Sequence, residues 1–305
     1  MKKALITGGE GFVGGHLKTE LEENGYQVFL TSRVAQEGYI KMDLCDYEEV
    51  RSVINEVKPD VIFHLGAIAF VPSSWQDAEL TMNVNLNGSL HLLDAVRSIG
   101  IDPVIQLAGS SEEYGMVYPE ETPMTEENPL RPLSPYAVSK IAMDFLAYQY
   151  HKSYGLKTIR VRAFNHSGYG RGEAYMTSTF AKQLVEIEKG KRDLIKHGDL
   201  SSIRDITDVR DTVRAYRLLT EKGKYGEVYN IGTGKGYSAQ EILNKLSKLM
   251  AMTPKTEIDP DRMRPSDVKI LIADASKVKA ETGWEPQYSI DETLSEVLRY
   301  WMERI

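Results

Sequence analysis

Close to its start the chain carries a short apolar run, Lys3–Thr7, that leads straight into Gly8-Gly9-Glu10-Gly11-Phe12-Val13-Gly14, with a helical pattern following over Val13–Asn24. Glycines at 8, 11 and 14 between a strand and a helix constrain the fold more than any other feature. A tight turn, close approach of the backbone to a pyrophosphate and close packing of helix on strand each exclude a side chain. The helix N-terminus then faces the anion with free N–H groups and partial positive charge. Glycine spacing alone is weak evidence; strand before and helix after are the context it requires.

The same alternation continues. Lys3–Thr7, Gln27–Thr31, Val61–Leu65, Pro103–Ala108 and Lys157–Ala163 read as strands, and Val13–Asn24, Tyr47–Val57, Met82–Ile99 and Tyr136–Tyr154 as helices between them. Apolar strands without alternation belong to a parallel sheet covered on both faces. The expected class is therefore α/β, a Rossmann-type doubly wound parallel sheet. After Ala163 the pattern loosens. Asn165–Glu173 reads as a loop, followed by helices at Thr177–Lys189, Asp208–Leu219, Ala239–Met250 and Ile290–Ile305 and strands at Val228–Ile231 and Lys255–Ile258. With 305 residues there is room for two domains. We expect a dinucleotide-binding domain from residues 1–165 and 206–235, and a smaller C-terminal α/β substrate domain from 166–205 and 236–305.

In such a fold an acid about 20 residues past the glycines holds the ribose hydroxyls of NAD, whereas an arginine accommodates the 2′-phosphate of NADP. Here the second strand ends Leu30-Thr31-Ser32-Arg33, without a carboxylate. Arg33 thus favours NADP(H), with NAD(H) left open. Asp43 and Leu44 stand where adenine contacts would fall, or form an ordinary loop.

Tyr136 and Lys140 lie four residues apart at the start of a helix, on one face. A phenol with a reference pKa near 10 is a poor acid–base group at neutral pH, and a neighbouring ammonium lowers that pKa. The pair suits proton transfer at a sugar or alcohol oxygen while hydride moves at carbon. Gly109-Ser110-Ser111-Glu112-Glu113-Tyr114-Gly115 follows a strand's carboxyl end, where doubly wound sheets bind ligands. Ser110 can hold a carbonyl or hydroxyl oxygen beside Tyr136, and Glu112 is either a carboxylate base or a loop cap.

Composition excludes other classes. A formal charge of -7 leaves no basic field for nucleic acid or anionic membrane, so a phosphate-bearing substrate must be held by local arginines. Arg204 and Arg264 sit on polar loops where a guanidinium fork could grip phosphate oxygens, or simply be solvated. The one cysteine, Cys45, forms no internal disulfide, no apolar window approaches the roughly 20 residues of a membrane span, and no apolar run behind Met1 is long enough for a signal peptide. A cytoplasmic protein is expected. Six scattered histidines without an HExxH pattern argue against a metal.

Taken together, Gly8–Gly14, His64-Leu65-Gly66-Ala67, Ser110 with Tyr114-Gly115, Tyr136 with Lys140, and Arg162-Ala163-Phe164-Asn165-His166 resemble the extended short-chain dehydrogenase/reductase family, whose members modify nucleotide-diphosphate sugars. The resemblance spans essentially the whole chain. It implies Ser110, Tyr136 and Lys140 as the catalytic set, with Glu112 beside them. Cofactor contacts fall on Gly8, Gly11, Phe12, Val13, Gly14, Arg33, Asp43, Leu44, Leu65, Ala67, Tyr136, Lys140 and His166. Arg204 and Arg264 would bind the sugar nucleotide's diphosphate, assisted by Asn165, with Asp267 on a ribose hydroxyl and Ser110 and Glu112 at the sugar. Several stretches are similar to the reductases that convert GDP-4-keto-6-deoxymannose to GDP-D-rhamnose. Arg171-Gly172 and Glu112 are more similar to GDP-mannose 4,6-dehydratases, in which a glutamate takes the C5 proton. A nucleotide-sugar 4-epimerase and a non-catalytic NADP(H) sensor remain as alternatives, although a sensor needs no proton-transfer set. Relatives commonly form homodimers through a four-helix bundle, which here implies Met82–Ile99 and Tyr136–Tyr154.

Overall fold

The computed structural model describes residues 1–263 and 268–305. In chain order the first part runs β1 (Lys2–Thr7), α1 (Phe12–Glu23), β2 (Tyr26–Ser32), β3 (Ile40–Lys41), α2 (Tyr47–Val57), β4 (Val61–His64), α3 (Val71–Gln76), α4 (Ala78–Met82), α5 (Gly88–Ile99), β5 (Val104–Ala108), α6 (Pro135–Tyr154) and β6 (Lys157–Ala163). The second part continues β7 (Asn165–Ser167), α7 (Met176–Glu188), β8 (Leu194–His197), β9 (Ile203–Asp208), α8 (Val209–Lys222), β10 (Val228–Ile231), β11 (Gly236–Ser238), α9 (Ala239–Leu249), β12 (Lys255–Ile258), β13 (Ile270–Leu271), α10 (Ser276–Thr282) and α11 (Ile290–Met302).

Seven strands form a parallel sheet in the order β10-β6-β5-β4-β1-β2-β3. The chain winds outward one way from β1 and the other way from β4. A crevice therefore opens at the carboxyl ends of these two strands, the position where such sheets take ligands. The strands are apolar throughout because both faces are covered. Ala4 and Ile6 point into a core with Leu17, Leu21, Val213 and Tyr216 from α1 and α8. Leu5, between them, points into the opposite core with Ile54, Leu92, Val96 and Met143 from α2, α5 and α6. Local signals set the helix starts. The Asp46 side chain accepts the N–H groups of Glu48 and Glu49 at the head of α2. At α6, Ser134 accepts the Ala137 N–H and Pro135 takes the first helical position, which places Tyr136 in the opening turn.

The remaining strands make a small sheet centred on β9, flanked by β11 and β13 and paired also with β7, and a separate β8–β12 pair. Helices α7, α9 and α11 cover them through Phe180, Leu184, Ile242, Leu246, Leu294 and Val297. Meanwhile α10 packs against the first unit, where Val278 and Trp284 join the core of α1 and α8.

Two expectations about elements need correction. Asn165–Ser167 is a strand rather than loop, because its backbone groups find partners on Ile206–Asp208 of β9. Met82–Ile99 is not one regular helix: Ala78–Met82 precedes a π turn at Asn83–Asn87 before α5. In that turn the Asn85 side chain pairs with both backbone groups of Ile68 and donates to Ser139 Oγ. π turns of this kind collect at functional sites. Among the described residues no helix is long and apolar enough to cross a membrane.

Candidate active site

The glycine turn builds one wall of a cleft of about 1800 Å³ above β1 and β4. Gly8 has φ +64°, and a Cβ on it would lie 2.7 Å from Gly66 Cα. A Cβ on Gly14 would collide with the Gly9 carbonyl oxygen. No side chain caps α1 at Gly11, so its first-turn amides remain available to an anion. This cradle fits a dinucleotide pyrophosphate. Gly14→Ala is therefore expected to weaken cofactor binding at least about ten-fold and to lower the melting temperature, measured by cofactor titration and thermal unfolding. Unchanged binding would mean that the turn holds no anion.

The cleft gathers nearly all residues singled out from the sequence. Gly8, Gly11, Phe12, Val13, Gly14, Arg33, Asp43, Leu44, Leu65, Ala67 and His166 line it on the glycine side, and Ser110, Glu112, Tyr136, Lys140, Asn165 and Arg204 line the rest. His166 stacks on Phe12 with centroids 6.3 Å apart. Burial, helped by the nearby Arg171, holds the His166 imidazole down at about 3, so it is neutral. Arg33 is exposed at the rim. Arg264 and Asp267 lie outside the described residues. Arg204 departs from expectation: it is not on a loop but in β9, 7% exposed, with its guanidinium donating to the Ile203 carbonyl oxygen at 3.0 Å. The central position of β9 in the small sheet buries it.

Three chemically active side chains meet at the end of β5. Lys140 is fully covered, and its Nζ donates to the Ala108 carbonyl at 2.8 Å while lying 5.9 Å from the Tyr136 ring centre. Burial pushes the ammonium down to about 8, opposed by the Glu113 charge. Ser110 hydrogen-bonds the Tyr136 phenol and also accepts the Glu112 N–H at 3.2 Å. The sequence suggests that Lys140 lowers the phenol's pKa. In the structure burial dominates instead and pushes Tyr136 well above the ordinary value, with the Ser110 hydrogen bond pulling the other way. Burial thus keeps the Tyr136 phenol protonated. Glu112 is half-buried on the cleft wall, and its charge reaches Tyr136.

Two features escape sequence reasoning. The first is a buried hydrogen-bond chain beneath the site. Ser89 gives its proton to Asn85 O at 2.5 Å, so its oxygen accepts from His64 Nε2–H at 3.0 Å. His64 Nδ1 then accepts from the Thr7 hydroxyl at 2.8 Å, and Thr7 in turn accepts the Gly66 N–H at 3.0 Å. Asn85 continues the chain to Ser139, which donates to the Tyr136 carbonyl at 2.7 Å. Desolvation keeps His64 neutral, near 3, so it fixes the tips of β1 and β4 and is not an acid–base group. The second is Arg171, a mostly buried cation on the cleft wall. It stacks on Tyr175 at 3.5 Å and on Phe12 at 4.8 Å, with no carboxylate partner among the described residues. Burial lowers it to about 10. An unpaired guanidinium in a cleft marks an anion site; from sequence its only signal was the Arg171-Gly172 pair.

A doubly wound sheet, a glycine cradle at its switch point and a serine–tyrosine–lysine cluster facing that cradle define an enzyme of the extended short-chain dehydrogenase/reductase class. More narrowly, residues 5–297 match the family described as GDP-mannose 4,6 dehydratase, and the chain belongs to that family. It is 29% identical over 305 residues to the GDP-6-deoxy-D-mannose reductase of Pseudomonas aeruginosa, covering 100% of this chain and 98% of that protein. It is 30% identical over 348 residues to a GDP-mannose 4,6-dehydratase of Vibrio cholerae, covering 97% and 93% respectively. The solved structure of RMD from Pseudomonas aeruginosa complexed with NADPH superimposes with a TM-score of 0.91 at 28% identity, over 100% of both chains.

Proposed function

We propose that this protein reduces the C4 ketone of GDP-4-keto-6-deoxy-D-mannose to GDP-D-rhamnose with a reduced nicotinamide cofactor. The observation that carries this reading is the convergence of Ser110, Tyr136 and Lys140 beside the glycine cradle, in a chain that matches the Pseudomonas reductase from end to end. When bound in the cradle, the cofactor supplies hydride. Gly8, Gly11, Phe12, Val13 and Gly14 hold its pyrophosphate, Asp43, Leu44, Leu65 and Ala67 its adenosine side, and His166 and Arg171 close over it. Tyr136 gives its phenolic proton to the oxygen formed at C4, and Ser110 polarises that carbonyl. Lys140, as an ammonium, favours the phenolate left behind. Asn165 and Arg204, with Arg264 and Asp267, hold the sugar nucleotide. In this reading 1–165 and 206–235 bind the cofactor, and 166–205 and 236–305 the nucleotide sugar.

NADPH is the favoured cofactor, because β2 ends without a carboxylate and presents the exposed Arg33 at the rim. Arg33→Ser is expected to raise the KM for NADPH about ten-fold while leaving NADH nearly unchanged. Equal effects on both cofactors would show that Arg33 does not meet a 2′-phosphate. The assembly proposed is a homodimer through α5 and α6, which expose Leu90, Val138, Phe145, Tyr148 and Tyr154. The compartment proposed is the cytoplasm, which suits the lone Cys45.

The deciding experiment follows absorbance at 340 nm with NADPH, and separately NADH, plus the GDP-keto sugar. A substrate-dependent fall with one cofactor consumed per sugar supports the reductase. A flat trace from folded, cofactor-binding protein overturns it. A second reading has one specific support: Glu112 stands on the cleft wall within electrostatic reach of Tyr136, which supports a carboxylate base acting at C5. Dehydration of GDP-mannose without net cofactor consumption would establish that reading.

A further inference from the structure

Beneath the serine turn lies a buried ionic cluster that the proposed reaction does not use. Ser110 and Glu113 form a reciprocal cap of a short helical turn, in which the Ser110 backbone N–H donates to Glu113 Oε1 at 2.8 Å. Such caps normally sit at the surface, but Glu113 is fully buried. A Cβ on Gly109 would collide with the same carboxylate oxygen, so the glycine makes room for it. The other oxygen, Oε2, accepts Arg162 Nε at 3.1 Å. Arg162 also donates to Asp144 Oδ2, from Nε at 3.0 Å and Nη2 at 2.8 Å. Asp144 belongs to α6, one turn beyond Lys140 and two beyond Tyr136, and is held from its other side by Arg160 at 2.5 Å. One unbroken path thus runs from the Ser110 backbone through Glu113 and Arg162 to the helix carrying the other two members of the set.

We propose that Glu113 is a positioning residue for Ser110, Tyr136 and Lys140, tying the serine turn to α6 through Arg162 and Asp144. It touches neither ligand nor reacting atoms in this role. The inference rests on the catalytic reading of those three residues. The groups facing Glu113 are Arg162 from β6 and Asp144, Lys140 and Tyr136 from α6, and the Tyr114 hydroxyl accepts from Arg162 Nη1 at 3.3 Å. Burial and the Asp144 carboxylate raise Glu113, against Arg162 and the Ser110 N–H. Its charge raises Lys140 in turn.

The test compares Glu113→Gln, which keeps an acceptor for the Ser110 N–H, with Glu113→Leu, which keeps only bulk. With the GDP-keto sugar and NADPH well below the melting temperature, Glu113→Leu is expected to lose about 10–100-fold in kcat, with both KM values within about three-fold. Glu113→Gln should recover most of that loss. A lower melting temperature with kcat unchanged in both variants would mean a structural role only and would overturn the proposal. An independent reading needs no substrate. In 13C-lysine-labelled protein, with the Lys140 signal assigned by its loss in Lys140→Met, the Lys140 titration midpoint should fall in Glu113→Gln. An unmoved midpoint overturns the link between the turn and α6. If the parent protein does not reduce the keto sugar, the substrate reading falls, while the lysine titration still decides the role of Glu113.

Discussion

Replacing Tyr136 by Phe is expected to lower kcat by about 10²–10⁴-fold while cofactor affinity stays within about two-fold. The substitution removes one oxygen and leaves the ring, which is itself buried and lies against Lys140. Binding contacts along the glycine turn are untouched, so the loss falls on the chemical step. The pH profile should separate the partners. Lys140 sits near 8 because burial disfavours its charge, so the ammonium is present below that pH and is lost above it. Activity of the parent should therefore decline on the alkaline side. Tyr136 cannot produce that decline, because burial holds its phenol protonated far beyond this range. Retained turnover in Tyr136→Phe would remove the phenol from the reaction and leave Ser110 or a water as the donor.

How much of this was legible in the sequence varies with the range of the interaction. The cradle was readable because its requirements are local: a strand, three glycines and a helix within 20 residues. The Tyr136–Lys140 pair was readable for the same reason, since helix geometry alone sets its spacing. Arg204 reads as a loop residue in the sequence because β9 owes its existence to partners far away in the chain, Tyr237 on β11 and Leu271 on β13. A strand whose pairing is entirely remote leaves little local signature. The same holds for Asn165–Ser167, polar and followed by Gly168, which becomes a strand only because β9 lies beside it. The phenol's shift departs from the expected direction for a different reason. Spacing reveals which charges are neighbours, whereas desolvation depends on everything that covers the group, and here it outweighs the neighbour.

The cluster around Arg162 carries the largest expected effect on stability. Arg162→Met should cost about 3–5 kcal/mol, because removing one partner of a buried ion pair strands the other. Which carboxylate is stranded sets the cost. Asp144 keeps Arg160 Nη1 at 2.5 Å, whereas Glu113 keeps the Ser110 N–H as a donor but faces the Asp144 carboxyl without a cation between them. Two further donor contacts vanish with the guanidinium, to the Glu126 carbonyl at 3.1 Å and the Tyr114 hydroxyl at 3.3 Å. Tyr114 retains its own bond to Asn230 Oδ1 at 2.7 Å, so that side of the cluster is less affected. Most of the cost therefore resides in one orphaned carboxylate. A second substitution that removes the orphan, Glu113→Leu in the Arg162→Met background, should return on the order of half of the lost stability, although Glu113→Leu alone destabilises. Urea unfolding of the four proteins measures the coupling directly. Additive losses would show that Arg162 stabilises the fold through packing or through Asp144, and that Glu113 is not the charge left exposed to the apolar interior.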